Sequence, residues 1–164
     1  ELPDTAGLIE AALERGLRTV LNPSPFDASL LKAPLERLYA LIVNETEARG
    51  FLADEAEGVE AAGLMALLER RYPDVNLILT LGSRGACGRV PGAEPFFVPA
   101  VKMKAVDTTG AGDTFAGYAV AALAAGEDLR TAMNRAAKAS AISVTREGAA
   151  TSIPRRSEVE ALAV

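Results

Sequence analysis

Residues 107–113 read Asp-Thr-Thr-Gly-Ala-Gly-Asp and run directly into an almost wholly apolar stretch. A helix that starts after Gly110 has free N–H groups in its first turn, and its dipole puts partial positive charge there. Gly110 and Gly112 relax the backbone and allow a ligand close to it, and Ala111 adds only a methyl. The combination suits an anion cradle. Asp113 falls in the same first turn, where a carboxylate repels phosphate unless it has a task. Accepting a proton from a hydroxyl nucleophile is such a task. The structural alternative is that Asp107 or Thr109 caps a buried helix, the glycines make a tight entry, and Asp113 complements the dipole.

Other polar groups fall at the ends of apolar runs. Asn44 and Glu47 have a spacing that could serve a Mg²⁺–phosphate region, because Mg²⁺ keeps several waters and an acid can act through one of them. The same spacing is a helix-start capping box. Thr80, Leu81, Gly82, Ser83, Arg84 and Gly85 follow a third apolar run, and the Gly-Ser-Arg-Gly within them is equally a hairpin turn.

The elements that must position these groups alternate. Residues 5–15 have helical spacing, with Leu8, Ile9, Ala12 and Leu13 on one face, and Gly16 stops the helix. "LRTVLN" is a short strand broken by Pro23. "ASLLKAPLERL" predicts a helix interrupted at Pro34, "YALIVN" a strand, "GVEAAGLMALLERRYP" a helix ended by Pro73, and "VNLILTLG" a strand. "GACGRV" and "PFFVPAV" predict shorter strands, arranged as a hairpin. Helices follow at about 112–125, 128–144 and 156–163. The runs "TVL", "LIV" and "LILTL" lack polar alternation, as strands covered on both faces do. The expectation is a three-layer α/β/α fold with a mainly parallel sheet. Ligands of such sheets bind beyond the carboxyl ends of the strands, where Asn22, Asn44 and Thr80 fall.

Composition narrows the function. The chain has 164 residues, which suggests one domain, with 49% apolar residues and a net charge of −5. An acidic balance argues against a nucleic-acid or acidic-membrane partner. There is no histidine, so histidine catalysis and histidine metal ligation have no residue to use. Cys87 is alone, which rules out a disulfide framework or a cysteine metal cluster. No apolar run approaches the roughly 20 residues that span a bilayer.

The full run Asp-Thr-Thr-Gly-Ala-Gly-Asp-Thr-Phe closely resembles the carboxy-terminal signature of the ribokinase-like (PfkB) carbohydrate kinases, and the ribokinase branch most of all. "LNPSP", "NETEA", "TLGSRGA" and "VTREGAATSIP" extend the resemblance over nearly the whole chain. It implies an ATP-dependent phosphorylation of a sugar primary hydroxyl, ribose first, with fructokinase or 2-keto-3-deoxygluconate kinase activity as rivals. A non-catalytic nucleotide-binding fragment is the rival from another class.

Carried over, the resemblance makes Asp113 the catalytic base. The N–H groups of Gly110, Ala111, Gly112 and Asp113 would hold the transferring phosphoryl. Asn44 and Glu47 would serve Mg²⁺, and Thr80 to Gly85 the nucleotide. An Asn or His that the family often places near the base or ribose is replaced by Ala137. A monovalent cation, K⁺, would lie beside the anion hole. Its ligands would be Asp107 and Thr109 with Ser143, Arg146, Gly148 and Ser152, mostly through backbone carbonyls.

The chain starts at Glu1 rather than Met, and "ELP" resembles a Glu-x-Pro found past the middle of a ribokinase. Glu1 would contact the sugar. The expectation is a single nucleotide-binding portion over 1–164, the carboxy-terminal half of a family member. The amino-terminal sugar-binding part and the lid would lie outside it. The resemblance further implies a cytoplasmic protein, homodimeric at full length.

Overall fold

The computed structural model describes residues 4–163. They divide into two compact units, one of residues up to 81 with 89–95 and one of residues 82–88 with those from 96 onward.

The first unit holds three parallel strands: β1 (Val20–Leu21), β2 (Ala40–Asn44) and β3 (Asn76–Thr80). Every residue from Ala40 to Val43, and from Leu77 to Leu79, is buried. Both faces of the strands are therefore covered, as the absence of polar alternation predicts. Helix α2 (Glu45–Leu52) packs on β2 and β3, and α3 (Ala61–Arg71) packs on β3. They bury Ala48, Phe51 and Leu52 of α2 and Leu64, Met65 and Leu68 of α3. Strand β1 is shorter than "LRTVLN" suggests. Pro23 has no N–H to extend the ladder, and the Asn22 side chain donates to the Ile42 carbonyl at 2.9 Å instead.

Other elements differ from the sequence expectation in detail. Helix α1 (Thr5–Glu14) buries Ile9 alone, while Leu8 on the expected apolar face is 52% exposed. The segment around Pro34 forms two 3₁₀ turns, Ala28–Lys32 and Leu35–Arg37, not α-helix on either side of a break. Helix α2 follows its predicted capping box and continues for eight residues.

The second unit holds β4 (Gly85–Arg89, its last residue belonging to the first unit) and β5 (Phe96–Pro99), paired antiparallel as the expected hairpin. Helices α4 (Ala111–Ala124) and α5 (Leu129–Ser143) pack together, and both bury small residues, among them Ala116, Ala119, Ala132, Ala136 and Ala139. A Cβ on Gly88 would meet the Met133 sulfur at 2.4 Å and the Phe96 ring at 2.6 Å, so a larger residue there would force those side chains of α5 and β5 to shift. Helix α6 (Arg156–Ala161) packs Val159 against Ala139 and Ile142. The Tyr118 hydroxyl donates to the Pro154 carbonyl at 2.6 Å, which fixes the entry to α6. Among the described residues, no helix is long and apolar enough to cross a membrane.

Candidate active site

Two groups of residues from the sequence reading are each brought together within their own unit. In the first, the parallel register sets Asn44 beside Thr80, and the Asn22 side chain reaches the neighbouring strand at Ile42. The three polar residues thus share the carboxyl edge of the parallel strands, where such sheets bind ligands. Asn44 caps α2: its side-chain oxygen accepts the Glu47 N–H at 2.9 Å, and Glu47 Oε2 accepts the Asn44 N–H at 2.9 Å. The capping alternative is therefore realised. A Mg²⁺ role for Glu47 would fall to the carboxylate oxygen outside that reciprocal bond, on a side chain that is only 4% exposed. The Thr80 hydroxyl leans on the Val43 carbonyl at 3.4 Å.

In the second unit Gly82–Arg84 form one exposed 3₁₀ turn ahead of β4. Gly85 has φ of +124°, and a Cβ there would lie 2.2 Å from the Val98 carbonyl oxygen. Only glycine fits that position.

The loop before α4 has an architecture of its own. Gly110 is the N-cap of α4 with φ of +72° and no side-chain cap bond, so neither Asp107 nor Thr109 caps this helix. Asp107 instead accepts the Thr109 N–H at 2.9 Å on one oxygen and the Gly148 N–H at 2.9 Å on the other. The Thr109 hydroxyl and N–H, followed by the Gly148 N–H, hold the Asp107 carboxyl below the usual carboxylate range. The Val144 carbonyl, just past α5, accepts the N–H groups of Val106 at 2.7 Å and Asp107 at 3.2 Å. The loop before α4 is thereby laid against the end of α5.

The Ala111 N–H donates to Thr108 at 3.2 Å. Gly112 and Asp113 follow it in the first turn, where helix geometry supplies no intrahelical acceptor to their N–H groups. The Asp113 side chain is exposed at the same turn, while Phe115, Ala116 and Ala119 beyond it are buried. Helix α4 is thus buried along one face and open at its amino-terminal carboxylate.

The segment after α5 is ordered by its own contacts. The Ser143 hydroxyl donates to Ser140 O at 2.8 Å, and Ser143 O accepts the Arg146 N–H at 3.1 Å. The Ser152 hydroxyl donates to Ala149 O at 2.8 Å, and Arg146 pairs with Glu158 of α6. Gly148, at φ of +85°, turns its N–H to Asp107. Of the predicted cation ligands, Asp107 thus touches Thr109 and Gly148, while Ser143, Arg146 and Ser152 bond to groups other than its carboxylate. Among the described residues no three acidic, histidine or cysteine side chains converge. A monovalent cation here would have to share the Asp107 carboxylate, both of whose oxygens already accept N–H groups, and draw on carbonyl oxygens of the 143–152 segment, which can replace a hydration shell.

Ala137 is buried in α5. Glu1 lies outside the described residues. Sequence reasoning missed Ser140, whose hydroxyl donates to the Ala111 carbonyl at 3.0 Å. A serine set between Ala139 and Ala141 in α5 was the one signal available for it.

The pfkB family carbohydrate kinase profile matches residues 4–156. The chain is 35% identical over 160 residues to a ribokinase of Schizosaccharomyces pombe, covering 93% of this chain and 48% of that protein. It is 36% identical over 154 residues to a ribokinase of Haemophilus influenzae, covering 91% and 48%. The crystal structure of ribokinase from Cryptococcus neoformans var. grubii in complex with ADP superposes with a TM-score of 0.82 at 35% identity, over 95% of this chain and 56% of that one. The chain spans about half the length of the curated relatives it matches. Its fold is the ribokinase-like α/β fold, five strands flanked by helices. With a cradle loop, an exposed first-turn acid and a profile match over nearly all its length, the chain belongs to the pfkB family of carbohydrate kinases.

Proposed function

We propose that this chain is the phosphoryl- and nucleotide-handling portion of an ATP-dependent sugar kinase, with ribose as the acceptor. The observation that carries the reading is the start of α4. An uncapped glycine N-terminus and an exposed Asp113 share one helical turn. The ribokinase relatives support ribose over other sugars.

In this reading Asp113 takes the proton from the sugar primary hydroxyl as its oxygen attacks the γ-phosphorus. The bond from that phosphorus to the bridging oxygen breaks, and ADP leaves with the electron pair. The N–H groups at the start of α4 stabilise the charge on the transferring oxygens, the largest contribution a preorganised site makes to such a reaction. Residues 80–85 contact the nucleotide. Asn44 and Glu47 would hold hydrated Mg²⁺, which supplies charge neutralisation on the phosphates when bound. Asp107, Thr109 and the 143–152 segment would hold K⁺, which acts by ordering the loop. Glu1 is read as a sugar contact, and the complete protein as cytoplasmic and homodimeric, on the family resemblance alone.

The test is Asp113→Asn in the complete enzyme. Loss of a general base costs about 10²–10⁴-fold in turnover, while ATP binding persists. A variant with near-parental ribose phosphorylation would overturn the assignment.

A further inference from the structure

The peptide group between Ala111 and Gly112 is held from outside its own helix. Its carbonyl accepts the Ser140 hydroxyl at 3.0 Å, and its N–H is that of Gly112, in the first turn of α4. Ser140 is itself tied in. Its own carbonyl accepts the Ser143 hydroxyl at 2.8 Å and the Val144 N–H at 3.2 Å. The Val144 carbonyl in turn accepts the Val106 and Asp107 N–H groups. The last turn of α5 and its C-cap therefore hold the loop before α4 at both ends, Val144 at the loop's start and Ser140 at its finish.

A carbonyl that accepts a hydrogen bond withdraws electron density from its amide, and the N–H on the other side becomes a stronger donor. Chains of hydrogen bonds polarise one another in this way. We propose that Ser140 is a positioning residue for the anion cradle: its hydroxyl fixes the Ala111–Gly112 peptide and strengthens the Gly112 N–H toward the transferring phosphoryl. The inference rests on the phosphoryl-binding reading of this loop, and it deepens that reading by a residue outside the signature run.

Ser140→Ala and Ser140→Thr test it in two ways. Alanine is the strongest helix former, so the first variant keeps α5, and threonine restores a hydroxyl. The first measurement needs no activity. In the 164-residue chain the Gly112 amide proton resonance is expected to move upfield and its hydrogen exchange to change in Ser140→Ala. Both should return toward the parent in Ser140→Thr, and the Gly126 amide in the turn between α4 and α5 serves as control. The second measurement is steady-state kinetics of the complete enzyme. A donor that acts on charge developing in the transition state lowers kcat and leaves KM for ATP in place. One weakened neutral hydrogen bond corresponds to about a twofold to tenfold loss.

An unchanged Gly112 resonance in Ser140→Ala overturns the proposal. So does a loss that Ser140→Thr fails to restore, since that assigns Ser140 to helix packing. If the parent enzyme phosphorylates no sugar, the kinase reading falls, and the Gly112 resonance still decides the role of Ser140.

Discussion

The carboxylate of Asp107 accepts the backbone N–H of Gly148 at 2.9 Å, across 41 residues of chain. The bond joins the loop that leads into α4 to the loop that leaves α5, and the same side chain also holds the Thr109 N–H. Removing it should free both loops together. In Asp107→Ala, amide exchange at Thr109 and Gly148 is expected to accelerate, while the Gly126 amide, bonded to Leu123 within the turn after α4, keeps its rate. In the complete enzyme the same variant should lose any stimulation by K⁺ over Na⁺. Equal exchange rates in variant and parent would show that the carboxylate does not organise the loops.

The same contacts set a direction in pH. Hydrogen bonds from Thr109 and Gly148 hold the Asp107 carboxyl below its ordinary value. A depressed folded-state pKa gives a contribution that is complete above the unfolded value, about 3.9 for Asp. It is lost as pH falls through the folded value. The two loops should therefore stay joined at neutral pH and loosen only below about pH 4. A carbon-detected titration of Asp107 that places its midpoint above the range of free aspartate would contradict this.

Asn44 and Glu47 can be separated by substitution. Asn44→Ala removes the side-chain acceptor of the Glu47 N–H and is expected to cost about 1 kcal/mol of stability. Glu47→Gln keeps an oxygen that can accept the Asn44 N–H, so the cap survives while the charge is gone. Its thermal midpoint should stay near the parent, and the Mg²⁺ concentration that half-saturates the complete enzyme should rise. A Glu47→Gln enzyme with parental Mg²⁺ dependence would leave Glu47 with its capping role alone.

How much of this was legible in the sequence follows from the range of the interactions. Local ones could be read. The unbroken apolar runs of β2 and β3, the Asn44–Glu47 box and the glycines before α4 each declare themselves within a few residues. Contacts between distant segments could not. Nothing near Asp107 points to Gly148, and nothing near Ser140 points to Ala111. The length of α2 was also hidden, because Glu-Thr-Glu-Ala-Arg-Gly-Phe-Leu carries Gly50 and several charges, and tertiary packing of Ala48, Phe51 and Leu52 makes the helix. The 3₁₀ turns around Pro34 were read as α-helix because leucine spacing alone does not separate the two.

The two glycines of the cradle should fail in opposite ways. Gly110 has φ of +72°, and an added Cβ would meet the Ala149 Cβ at 3.1 Å and its Cα at 3.2 Å. Gly110→Ala thus suffers both left-handed strain and crowding, and a loss of about 1–3 kcal/mol in stability is expected. Gly112 lies inside the first turn of α4 with nothing within 4 Å of an added Cβ, and its φ is not in the left-handed region. The fold has no need of glycine there. Gly112→Ala should be as stable as the parent, or more so by up to about 1 kcal/mol from helix propensity. The open space around its Cβ is where an anion would approach the Gly112 and Asp113 N–H groups, so the methyl should obstruct the ligand. The expected pattern is a thermal midpoint held or raised together with a loss of phosphoryl transfer in the complete enzyme. Calorimetry and ribose-dependent ADP release, measured on the same preparation, decide it. A Gly112→Ala enzyme with parental turnover would mean that the phosphoryl does not sit at this helix start.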